Sequence, residues 1–253
     1  MVRKAAETWP GAEISIEDSF GNDIASVPSQ FLNAINLTCA YLTYIAETLV
    51  YEPGIILKDG TPCHSDDKIL GALYIWQTDQ PRTFRSGPEG KSSAKPLALH
   101  NIDGDESTWS KSSRSSSVQN MFRFESIARD GQCLLTFSTD LEAIQGCHIV
   151  PKSRGDDLVK AICGGKLARR IDSVQNALSL RADVHHQFDK YQFGIYTKDG
   201  NFSIHVFTSR DLLQYHGKPL GLRDGPGFTP RYPDPRLLEW HYRQCVMSRF
   251  RID

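Results

Sequence analysis

Apolar residues recur at three- and four-residue steps along Phe31, Ile35, Cys39, Leu42, Ala46 and Leu49, the spacing that keeps one face of an α-helix apolar. With Pro28 suited to a first helical turn, the pattern predicts a single amphipathic helix over residues 29–49. The run 54–60 ends in Asp59-Gly60 and reads as a strand entering a turn, and 69–76 reads as a buried strand or a short helix. These elements make a small α+β unit over residues 1–85. From Arg85 onward the pattern dissolves into Ser, Gly, Pro, Lys and Asp, ending in Ser112-Ser113-Arg114-Ser115-Ser116-Ser117. That composition suits a linker or long loop over residues 86–117.

Periodicity returns with a predicted helix over 118–129, capped by Ser116 or Ser117 and ended by Asp130-Gly131. Short β-prone runs at 132–137 and 146–150 predict a hairpin. Helical stretches follow at 156–162 and 181–189, separated by an irregular segment at Gly164-Gly165. Alternation over 192–197 and 201–207, around Lys198-Asp199-Gly200, predicts a second hairpin. Residues 216–235 are rich in Gly and Pro, and Leu237, Leu238, Trp240, His241, Cys245 and Met247 predict a closing helix over 235–250. The expected class is α+β, with the second domain over residues 118–253.

Composition narrows the range. Of 253 residues, 40% are hydrophobic and 23% charged, and 19 Gly with 13 Pro stay below low-complexity levels, which excludes a disordered or fibrous chain. No apolar run approaches the roughly 20 residues of a membrane-spanning helix, and residues 1–13 lack an apolar signal core. Neither a membrane partner nor secretion is expected. Six cysteines, at 39, 63, 133, 147, 163 and 245, include no C-x-x-C pair. They fit reduced thiols in an intracellular protein, cytoplasmic or nuclear, better than a zinc ribbon or a disulfide framework.

The net charge of -1 conceals a division. Residues 1–110 hold 8 Lys and Arg against 15 Asp and Glu, a charge of -7, whereas residues 111–253 hold 21 against 15, a charge of +6. A basic half favours a polyanionic partner, because each neutralised phosphate releases condensed counterions.

The stretch from Cys133 to Asp189 carries the chemistry. It holds His148 at a predicted strand end, Asn176 in a loop, and His185 with Asp189 on a predicted helix. A histidine, with its pKa of about 6.5, is the side chain suited to take a proton from water near neutral pH. A carboxamide such as Asn176 offers donor and acceptor together and can fix a loop without titrating. His185 and Asp189, four residues apart, share one helix face and could grip one divalent ion. His186 projects about 100° away and is the poorer candidate. Lys152, Arg154, Lys160, Arg169, Arg170 and Arg181 could contact backbone phosphates.

In order, the stretch reads Arg129-Asp130-x-x-Cys133, His148-Ile149-x-Pro151, Asn176-x-x-x-Leu180 and His185-x-x-Phe188-Asp189. This succession resembles the HNH endonucleases of the ββα-metal superfamily, most closely the variant found in many predicted fungal proteins. The likeness covers about residues 122–210. It implies a ββα-metal core that hydrolyses phosphodiester bonds, DNA more than RNA, leaving 5′ phosphates. His148 would be the general base and Asn176 its positioning residue. His185 and Asp189 would hold one divalent ion, Mg2+ or Mn2+ foremost, with Zn2+ also suited to a nitrogen and an oxygen donor. A homodimer would be one way to cut both strands.

One departure bears on the ion. Many HNH enzymes place an acid or a histidine immediately before the base, where it binds metal, and here that residue is Cys147. It is either a small buried residue or a thiolate ligand to a soft ion. The substitution also leaves room for a catalytically weak or inactive HNH-like module that binds nucleic acid or protein. A further alternative is an interaction protein in which the acidic unit docks on the basic half.

Overall fold

In β1 (Glu13–Asp18) alternate residues are buried, Ile14, Ile16 and Asp18, which is the period-two pattern of a strand with one face on a core. The computed structural model describes residues 8–85, 116–164, 170–222 and 232–252, of 116–118 the backbone alone. β1 pairs with β2 (Asp23–Pro28), and β3 (Ile55–Lys58), β4 (Thr61–Pro62) and β5 (Leu73–Gln77) complete a five-stranded sheet. Its order is β2-β1-β5-β3-β4, with β1 and β5 parallel and the other pairs antiparallel. β3 turns into β4 through Asp59 and Gly60, both at positive φ, as the Asp-Gly signal requires.

The single helix expected over 29–49 is two, α1 (Ser29–Asn33) and α2 (Cys39–Leu49). Asn36 sits at φ 52°, and Leu37 N–H donates back to Leu32 O at 3.0 Å. A left-handed residue cannot continue a right-handed helix, and asparagine reaches that conformation at low cost. The run 69–76 is a strand, but it begins only at Leu73, because Gly71 at φ 93° turns the chain before it.

The second half follows the order α3 (Ser116–Asp130), β6 (Ile144–His148), α4 (Gly155–Ile162), β7 (Ala177–Arg181), α5 (Ala182–Asp189), β8 (Phe193–Lys198), β9 (Asn201–Val206) and α6 (Pro235–Arg249). β6 does not pair with residues 132–137, as the β-prone runs suggest. Its antiparallel partner is β7, with His148 opposite Ala177 and Ile144 opposite Arg181. Residues 132–137 form a turn instead, closed by Phe137 N–H to Cys133 O at 2.9 Å and Cys133 N–H to Ser138 O at 2.8 Å. Cys133, Leu134 and Leu135 are all buried, which a half-exposed hairpin strand with alternating faces cannot achieve. The hairpin of β8 and β9 forms where the alternation places it, around Asp199 and Gly200. The Ser-rich connection falls outside the described residues up to 115, and so do Gly165 and Arg169.

Two hydrophobic clusters organise the fold. The first gathers the sheet and α1 and α2 with Phe207, Tyr242, Cys245, Val246 and Phe250. The second gathers β6, β7, α5 and the β8–β9 hairpin with Leu237, Leu238 and Trp240. Thus α6 serves both: its amino-terminal turns close the second cluster and its carboxy-terminal turns close the first. Its start is set by Asp234, whose side chain accepts from Arg236 N–H at 3.0 Å, with Pro235 in the first turn. After α6 the chain end pairs with β2, Ser26 N–H donating to Phe250 O at 2.9 Å, so that edge is covered. Among the described residues no helix is long and apolar enough to cross a membrane. The six cysteines are free thiols, five of them buried.

Candidate active site

Everything at the site is hung on β6. Successive residues of a strand face opposite sides, so Gly146 and His148 look one way and Gln145 and Cys147 the other. α3 lies so close to the first side that any side chain at 146 would crowd it: a Cβ on Gly146 would stand 3.0 Å from Ser126 Oγ and 3.2 Å from Arg123 Cα. This approach brings the Phe122 ring flat onto the His148 imidazole, centroids 3.9 Å apart and planes 8° apart. α5 covers the other side, where its His185 meets Gln145.

His148 is fixed by its hydrogen bond as well as by stacking. Nε2 lies 3.1 Å from Asp172 Oδ1, and Lys152 Nζ lies 3.1 Å from the same oxygen. Partial burial opposes ionisation of Asp172, but the hydrogen bonds from Lys152 and His148 outweigh it and hold the carboxyl below its ordinary range. A carboxylate accepts only, so Nε2 carries the hydrogen and Nδ1 is the basic nitrogen. Burial pushes the His148 pKa below the usual imidazole value, against the pull of Asp172, and Lys152 and His185 add to the lowering. The ring is therefore neutral near pH 7, the form in which a base can accept.

Asn176 is fully buried at the end of a short turn, Val174–Asn176, that leads into β7. Its Oδ1 accepts from Val150 N–H at 2.8 Å, and its Nδ2 donates to Val150 O at 3.1 Å and to Ile171 O at 2.9 Å. Its own carbonyl accepts from Ile149 N–H at 2.9 Å. Asn176 thus grips the chain just after His148 and just before Asp172, but it does not touch the imidazole. The base of this turn is tied down by a buried ion pair: Arg129 binds Asp130 through Nε and Nη2 and donates to Val174 O at 2.7 Å and Ala177 O at 2.8 Å. Asp130 in turn accepts from Ser179 N–H at 3.0 Å.

On the α5 side, His185 Nδ1 donates to Gln145 Oε1 at 2.8 Å, which turns Nε2 toward Asp189, 3.4 Å from Oδ2. Cys147 Sγ completes the group: one donor atom from each of Cys147, His185 and Asp189 lies within 4.8 Å of the others. Burial raises the pKa of the Cys147 thiol well above its ordinary value, and the Asp189 charge adds to this. Burial also raises Asp189, against the pull of His185 and His186.

Although β6 separates His148 from Cys147, the side chains of His148, His185 and Asp189 open at the strand end into one groove. A cavity of about 780 Å³ is lined by His148, His185, Asp189, Lys152, Gln145 and Phe122 among others. An adjoining one of about 540 Å³ adds Arg154. Of the other basic candidates, Arg181 is bound to Asp183 at 2.6 Å and Lys160 pairs with Asp157, both outside the groove lining, and Arg170 is exposed and also outside it. Arg169 lies outside the described residues. His186 is exposed and, like Asn120 of α3, lines the larger cavity.

Sequence reasoning passes over three contributors: Asp172, Phe122 and Gln145. Asp172 stands 24 residues from His148, a separation governed by no spacing rule, and only the loop fastened by Asn176 brings them together. For Gln145 a signal was available, since it precedes Cys147 by two and shares its face.

A two-stranded antiparallel ribbon, a histidine at the end of its first strand, and a helix entered directly from its second, carrying possible metal donors, define a ββα-metal unit. Residues 133–196 match the family model described as HNH endonuclease, and the chain carries an HNH endonuclease domain there. No curated protein and no solved structure matches the chain.

Proposed function

We propose that this protein is a metal-dependent endonuclease that hydrolyses phosphodiester bonds of DNA with a water activated by His148. The observation that carries the reading is the His148–Asp172 pair, which leaves Nδ1 as the proton-accepting nitrogen of a neutral ring in the groove shared with His185 and Asp189. Among the described residues no group hydrogen-bonds to Nδ1. As the water oxygen bonds to phosphorus, its proton passes to Nδ1 and the imidazolium is stabilised by Asp172. The bond from phosphorus to the 3′ oxygen breaks, the 3′ oxygen takes a proton from solvent, and the product keeps the 5′ phosphate.

Asn176 acts through the chain, holding both partners of that pair in register. His185 and Asp189 are the residues that would hold the divalent ion, a nitrogen and an oxygen donor on one helix face. When bound, such an ion supplies positive charge for the transition state and the departing oxygen. Lys152 keeps donors to spare beyond its bond to Asp172, and with Arg154 it offers the substrate backbone contacts without base preference.

The test is cleavage of supercoiled plasmid by the wild type and His148→Ala with magnesium, manganese, zinc or EDTA. Metal-dependent nicking by the wild type, with loss of about 10²- to 10⁴-fold in the variant, is the expected result. Salt-dependent DNA binding without cleavage in any ion would overturn it in favour of a binding module.

A further inference from the structure

We propose that Cys147 is the third protein ligand of this site and that the site therefore selects a thiophilic ion of the zinc class over magnesium. The inference rests on the metal site of the nuclease reading and adds the donor that decides which ion it takes.

Cys147 lies on the side of β6 that α5 covers, and its Sγ is within 4.8 Å of the donor atoms of both His185 and Asp189. The thiol is fully buried, and among the described residues its one polar contact is a long one, 3.7 Å to the carbonyl of its neighbour His148. A thiol at a strand end with one long polar contact among the described residues, facing the imidazole of His185 and the carboxylate of Asp189, has the surroundings of a ligand. The imidazole is already oriented: Gln145 holds the Nδ1 hydrogen and turns Nε2 toward Asp189, the outer-shell arrangement that fixes metal-binding histidines.

The donor chemistry sets the preference. Magnesium demands oxygen ligands in near-octahedral array and gives up its water reluctantly. A sulfur, a nitrogen and an oxygen donor instead suit zinc and its close substitutes. Three protein donors leave a fourth tetrahedral position open, as in catalytic zinc sites. Of the three side chains, Cys147 alone comes from the strand, so its thiolate would tie the ion to the element that carries His148.

The experiment titrates the full chain, kept reduced without thiol reagents, with cobalt(II), and measures zinc affinity by competition with a chromophoric chelator. The expected result is an intense thiolate-to-cobalt charge-transfer band in the near ultraviolet that is lost in Cys147→Ser. The serine variant should also bind zinc at least about 10-fold more weakly. Since Cys147 is a core residue, His185→Gln, on a half-exposed helix position, serves as the second variant: it too must weaken zinc binding while the fold is retained. A cobalt complex without the band, or unchanged zinc affinity in Cys147→Ser, overturns the proposal. Plasmid cleavage is scored separately. The band without cleavage supports the ligand and sinks the nuclease reading, whereas cleavage in magnesium without the band sinks the ligand and leaves the nuclease.

Discussion

His148 Nε2 lies 3.1 Å from Asp172 Oδ1, so the tautomer of the proposed base is set by a carboxylate whose own charge is secured by Lys152. Replacing Asp172 by Asn keeps the shape but offers an amide that can donate, freeing the ring to place its hydrogen on Nδ1. Cleavage should fall by on the order of 10²-fold, with DNA affinity nearly unchanged. The sign of the pH effect also follows: the Asp172 charge raises the His148 pKa, so the acidic limb of the rate profile should move to lower pH in Asp172→Asn. A limb that stays in place or moves upward would show that Asp172 does not act on the imidazole.

Asn176→Ala removes three side-chain hydrogen bonds and leaves Val150 N–H, Val150 O and Ile171 O without those partners. Each buried group so exposed costs about 1–3 kcal/mol. A loss of about 3 kcal/mol or more in denaturant unfolding is expected, together with loss of cleavage. A variant of unchanged stability would deny Asn176 its fastening role.

The Arg129–Asp130 pair is buried on both sides, and removal of the acid takes away the carboxylate that binds the guanidinium through two of its nitrogens. Asp130→Ala should cost about 3–5 kcal/mol, far more than an exposed ion pair. Calorimetric or chemical unfolding decides between the two magnitudes.

Buried neutral histidines make stability fall with acid. Burial drives the pKa of His241 down to about 3 and that of His216 to about 4, against the hydrogen bonds each makes to a backbone carbonyl, Phe188 O and Phe31 O respectively. The unfolded imidazole, with its pKa of about 6.5, takes up a proton the folded one refuses, so this stability is fully present above that pH and is lost as pH falls below it. At pH 5 His241 alone should have lost about 2 kcal/mol. His241→Gln should flatten the slope of unfolding free energy against pH between 6.5 and 4. An unchanged slope would mean that other groups dominate.

What the sequence determined by itself is what neighbouring residues settle among themselves. The hairpin around Asp199-Gly200, the turn at Asp59-Gly60 and the helix begun by Asp234-Pro235 are legible because turn and cap chemistry acts over a few bonds. The order of His148, Asn176, His185 and Asp189 points to a chemistry for the same reason: each residue type declares what it can do. Only the tertiary structure decided the partners. Residues 132–137 are β-prone, yet β6 chose β7, because pairing is a long-range choice governed by which faces can be buried. The helix over 29–49 broke at Asn36, where one backbone conformation outweighed an apolar periodicity that runs on past it. Asp172 reaches His148, and Cys147 meets His185 and Asp189, across chain separations of 24 and about 40 residues. No local pattern encodes such distances. They arise when buried polar groups such as Asn176 and Arg129 must find hydrogen-bond partners, and so clamp the loops that carry the chemistry.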